Sequence, residues 1–113
     1  MTTPLTILPI QHATLGESHY AGLLVDAILN YEGHTISVND GEVTTVKRSR
    51  NREQILLALC TTGIDDLLVR DANGDFAGWF HLIWGNDPDG CELVADFTDN
   101  DFCNTIWNQI FKA

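Results

Sequence analysis

A chain of 113 residues, 44% hydrophobic and 19% charged, is long enough for one modest core and too apolar for disorder. Its formal net charge of −10 sets it against nucleic acid and anionic membranes, which both present dense negative charge. No apolar run approaches the roughly 20 residues of a membrane helix, so one cytoplasmic domain over residues 1–113 is expected.

The first residues lack a basic region and are interrupted by Pro4 and Pro9, which fits neither a signal peptide nor an anchor. Thr14-Leu15-Gly16-Glu17 has the form of a capping box. Behind it Tyr20, Leu23, Leu24, Ala27, Ile28 and Tyr31 recur at helical spacing, with Gly33 placed to end the helix in the left-handed region.

His34 to Val38 and Val43 to Lys47 read as a hairpin about a two-residue Asp40-Gly41 turn, which sets Val38 opposite Val43. A second helix is expected over 51–62, with Asn51 and Gln54 as a cap pair, Gly63 closing it, and Ile55, Leu56, Leu59 and Cys60 inward. Lys47, Arg48, Arg50 and Arg52, four of the six basic residues, crowd its start, where the helix dipole disfavours cations. Such a cluster calls for acid partners or a contact of its own.

Leu67 to Arg70, an Asn73-Gly74 reversal and Phe76 to Gly85 make another hairpin, and Cys91 to Phe97 returns as a further strand. Thr98-Asp99-Asn100-Asp101 resembles a second capping box before a last helix with Phe102, Ile106 and Ile110 in one row. The fold class is therefore α+β: a single two-layer domain of order α-β-β-α-β-β-β-α, with a largely antiparallel sheet and helices packed on one face. The strand 76–85 reads as central because both of its faces are apolar. Helices on one side leave Trp79, His81 and Ile83 facing outward, either under the segment Leu5 to Ile10 or as a binding patch.

No motif of a known catalytic mechanism occurs, and no catalytic residue is assigned. Cys60, Cys91 and Cys103 are odd in number and read as reduced, small core residues. With His81, Cys91 and Cys103 lack the spacing of a structural zinc set. Asp71 to Asp75 begins like a calcium loop, but Phe76 and Leu82 stand where that loop needs Gly and Glu. Neither metal nor cofactor is expected.

The acids are concentrated: residues 65–101 hold ten of them against one base, Arg70. Asp87 with Asp89, and Asp99 with Asp101, are spaced to present carboxylates roughly 6.7 Å apart if extended, comparable with neighbouring phosphates. The partner-binding residues expected are Asp87, Asp89, Glu92, Asp96, Asp99 and Asp101, with Trp79 as aromatic anchor. Their partner is a basic protein surface, such as that of a nucleic-acid-binding complex, rather than nucleic acid or membrane. A homodimer through the Trp79 face is compatible with this.

Gly78-Trp79-Phe80-His81-Leu82-Ile83-Trp84-Gly85-Asn86-Asp87, with Val94-Ala95-Asp96-Phe97-Thr98-Asp99-Asn100, resembles segments of small accessory proteins of phages and plasmids. That class includes host-defence inhibitors of the anti-CRISPR kind, which are often short, acidic and non-enzymatic. The resemblance implies an inhibitor acting in a host cytoplasm by blocking a positive groove; it transfers no individual residue role. Two alternatives stand beside it: an immunity or antitoxin protein that neutralises a basic toxin, and a small metal-dependent or acid–base enzyme.

Overall fold

Thr14 opens the first helix as its sequence predicts, in a computed structural model that describes residue 10 and residues 12–112. Its hydroxyl accepts from Glu17 N, and the Glu17 carboxylate accepts from Thr14 N, so both halves of the capping box form. This helix, α1, spans Leu15–Leu29. Its buried stripe is Ala21, Leu24, Val25 and Ile28, at i, i+3, i+4 and i+7, while Leu23 turns outward. The expected stripe spanned too wide an arc; Tyr20 and Tyr31 lie at its margins and pack on the last helix instead. Gly33 does take a positive φ, but in the turn after the helix rather than at its cap, which is Asn30.

Strands β1 (Thr35–Asn39) and β2 (Thr44–Ser49) form the first hairpin. Its loop has four residues, not two, and Val38 faces Val46 rather than Val43. Side chains drive the change: the Asp40 carboxylate accepts from Glu42 N and Val43 N, and Asn39 Oδ1 accepts from Gly41 N. These bonds hold the Asp40 carboxyl below its usual value, Val43 first.

Helix α2 (Arg52–Leu57) is half the expected length. Asn51 caps it by accepting from Gln54 N, but Gln54 answers Ser49 rather than Asn51. Its end is set by Cys60, in the left-handed region at φ 61°, whose N–H donates to Asp65 Oδ2 instead of continuing the helix. Gly63 plays no part in that stop. The basic cluster is divided. Arg50 donates to the carbonyls of Leu29, Tyr31 and His34, and Arg52 pairs with Asp26, so both fasten the end of α1 to the start of α2. Lys47 and Arg48 remain exposed on β2.

Strands β3 (Ile64–Arg70), β4 (Phe76–Ile83) and β5 (Val94–Phe97) complete one antiparallel sheet of order β2-β1-β3-β4-β5. The central strand is β3, not β4. The doubly apolar pattern of β4 comes from half-buried residues on a face that no described element covers, not from a second layer. Helix α3 (Asp101–Phe111) is capped by Asn100, whose side chain accepts from Cys103 N; the capping box expected from Thr98 does not form.

All three helices lie on one face of the sheet. The core between the layers is built from Leu24, Ile28, Ile36, Leu67, Phe80, Leu82 and Ile106. Gly78 lets α3 sit close on β4, because a Cβ there would overlap the Cys103 sulfur. Of the segment Leu5 to Ile10, residues 5–9 lie outside the described residues, and Ile10 is buried in the core. No described helix is long and apolar enough to cross a membrane.

Candidate functional site

Strand pairing aligns two rows of side chains across the helix-free face. Asn39, Asp66, His81 and Asp96 stand opposite one another in turn on β1, β3, β4 and β5, and Ser37, Leu68 and Trp79 form the adjoining row. Directly opposed residues of antiparallel strands share a face with Cβ atoms roughly 5 Å apart. The rows therefore bring Asp66, Trp79 and His81 into one cluster.

Asp66 organises that cluster. Its Oδ1 accepts from Trp79 Nε1 at 2.8 Å and from His81 Nδ1 at 2.6 Å. A carboxylate acceptor places the His81 proton on Nδ1. The indole and imidazole rings stack with centroids 5.9 Å apart and planes inclined by 28°. The Asp66 and His81 side chains keep 29% and 23% exposure, so both reach solvent. Oδ2 of Asp66 and Nε2 of His81 have no hydrogen-bond partner among the described residues. Beside them opens a shallow cavity of about 280 Å³ lined by Ser37, Asn39, Thr44, Asp66, Leu68 and Trp79.

An Asp–His pair suits proton transfer when a nucleophile is within reach of the free nitrogen. The Ser37 hydroxyl accepts from Arg48 N and the Thr44 hydroxyl from Asn39 Nδ2, neither bonded to His81, while Cys60 and Cys103 are buried with the core on the helix side. His81, Cys91 and Cys103, which lack zinc-site spacing in the sequence, are also apart in space, since Cys91 lies against the Tyr20 hydroxyl and Cys103 beneath Gly78. No group of three metal-ligating side chains assembles among the described residues. The cysteines form no disulfide; Cys60 and Cys103 are core residues as expected, whereas Cys91 is exposed in the loop before β5.

The other acids occupy three separate places. Asp87 and Asp89 belong to a turn against the start of α1, where Asp87 accepts from Asp89 N and the Pro88 carbonyl accepts from the Thr14 hydroxyl. They face Tyr20, whose phenol is raised first by its contact with Cys91 and less by these two acids. Asp99 and Asp101 flank the start of α3, with Asp99 accepting from Asn104 Nδ2. Tyr20 stacks on Phe111 at the far end of α3. Eleven residues at about 1.5 Å each separate the pairs by roughly 16 Å along the helix. Neither pair lies on a strand, so the strand alternation behind the expected phosphate-like spacing is absent there. Glu92 is exposed in the loop between β4 and β5. Asp96 alone joins Trp79 on the open face, where its carboxylate also accepts from Phe97 N at the outer edge of β5.

Asp66 is missing from the expected site because the expected strand starts at Leu67, and two consecutive aspartates conceal the true start at Ile64. Extending the Asn73-Gly74 hairpin outward by its own register would have set Asp66 against His81.

Fold and site together define a two-layer α+β domain with an Asp–Trp–His cluster on the bare face of its sheet. Comparison with protein-family models, curated proteins and solved structures returned no match for this chain.

Proposed function

We propose that this chain is an acidic, non-enzymatic binding protein that receives a basic protein surface on the helix-free face of its sheet. One observation carries the reading. Trp79 is oriented by its hydrogen bond to Asp66 on that face and stays only partly buried, in a chain of net charge −10. Oriented aromatic side chains ringed by polar groups are the usual anchors of protein interfaces. Asp66 and Asp96 supply the charge that a Lys/Arg-rich partner would meet.

The sequence resemblance extends the proposal to a cytoplasmic inhibitor that occupies the nucleic-acid groove of a host complex. The test is capture from host lysate with the chain and its Trp79→Ala variant, followed by mass spectrometry and competition with DNA. A basic nucleic-acid-handling complex should be retained, displaced by DNA, and recovered about tenfold less with the variant. Equal recovery by both proteins, or none, overturns the reading. Capture of a small basic toxin instead supports the immunity alternative.

A further inference from the structure

We infer that the cavity beside Trp79 is a recognition pocket for one arginine side chain of the partner. The inference rests on the binding reading above and names the group that the open face receives. At about 280 Å³ the cavity lies below the roughly 300 Å³ at which small-molecule sites begin. It has room for one long side chain entering from solvent.

Its walls suit a guanidinium. Asp66 presents Oδ2 while Oδ1 is held by the Trp79 and His81 N–H groups, so one carboxylate oxygen stays available without disturbing the cluster. The Trp79 ring borders the same space, and a cation within roughly 6 Å of an indole face is attracted to it. Leu68 stands opposite Trp79 and offers an apolar surface for the methylene stem. At the rim, the Thr44 hydroxyl and the Asn39 side-chain oxygen already accept from Asn39 Nδ2 and Gly41 N, and each keeps a second lone pair for a further donor. Acceptors arriving from several directions match the five-donor planar fork of arginine better than a lysine ammonium. Arg48, next to the cavity along β2, does not line it.

The probe is N-acetyl-arginine amide, titrated into the full chain in 0.1 M salt while the Trp79 indole N–H is followed by NMR. Its resonance is assigned with Trp79→Phe. The arginine compound should shift that resonance saturably, with a dissociation constant on the order of millimolar. The citrulline analogue, equal in shape and uncharged, should not. Asp66→Asn, which retains an acceptor for both N–H groups, should weaken binding about tenfold. Asp101→Asn, with the same loss of charge at the start of α3, should weaken it less than about twofold. Thr44→Tyr, which fills the cavity from an exposed position, should abolish the shift. Equal weakening by both aspartate changes, a matching response to citrulline, or no saturation overturns the pocket. A saturable titration without any captured protein leaves the pocket standing and removes the macromolecular reading. A flat titration with undiminished capture by Asp66→Asn removes the pocket alone.

Discussion

Asp65 and Asp66 are chain neighbours with opposite environments, because successive side chains of a strand point to opposite faces. Asp66 reaches solvent beside Trp79, whereas Asp65 is fully buried under the helices. Its Oδ2 accepts from Cys60 N and Trp84 Nε1, and its Oδ1 has no partner among the described residues. Burial raises the Asp65 carboxyl, against the lowering effect of those two hydrogen bonds. The Cys60 thiol beside it is pushed up to about 11, by burial first and then by Glu17 and Asp65, and stays protonated at neutral pH. A carboxyl whose folded value is raised holds a proton where the unfolded chain has lost it. Its contribution to stability is complete below about pH 4 and is lost as pH rises through the folded value. Asp65→Asn keeps an acceptor for both donors and carries no charge. It should be more stable than the parent by about 1 kcal/mol at pH 8 and lose this advantage toward pH 4. Thermal melts of both proteins across that range check it, and parallel curves would show that Asp65 does not titrate on folding. Nothing in the local sequence tells the two aspartates apart; only the side of β3 that the helices cover does so.

At the scale of elements, the contact of α3 with β4 depends on the missing side chain of Gly78. An alanine there would drive its Cβ into the Cys103 sulfur and against the Phe102 ring. Gly78→Ala should destabilise the fold by about 2–3 kcal/mol through overpacking. Adding Cys103→Ala should recover part of that loss, because the two positions share one space. Urea denaturation of the single and double variants measures the coupling; strict additivity would mean that α3 shifts freely. Element types follow from the sequence here, since Thr14, Asn51, Asp40-Gly41 and Asn73-Gly74 mark their boundaries by local hydrogen bonding. Lengths follow less well. Asp65 stops α2 early, from five residues beyond Cys60, and Asp40 opens the β1–β2 turn with its own carboxylate.

For the whole molecule, charge acts through its distribution. Lys47 and Arg48 remain exposed at one edge of the sheet, while Arg50 and Arg52 are engaged between α1 and α2. The acids lie at both ends of α3 and on the open face, so the negative field is broad rather than focused at one row, and the proposed basic partner would meet it from several sides. Association should therefore slow about tenfold as salt rises from about 0.05 to 0.3 M, with dissociation changing less than about threefold. Stopped-flow tryptophan fluorescence with the captured partner separates the two rates. An association rate indifferent to salt would confine the acids to a solubilising role.

Composition, net charge, the caps and the strand alternation are legible in the sequence alone, because each is additive or depends on residues a few positions apart. They suffice for the element order and the antiparallel two-layer class. The tertiary structure alone decided that β3 is central, that the paired acids part to opposite ends of α3, and that Asp66 holds Trp79 and His81. Those outcomes depend on register between strands distant in the chain and on which sheet face the helices bury. Both are set by the packing of the whole core rather than by any local preference.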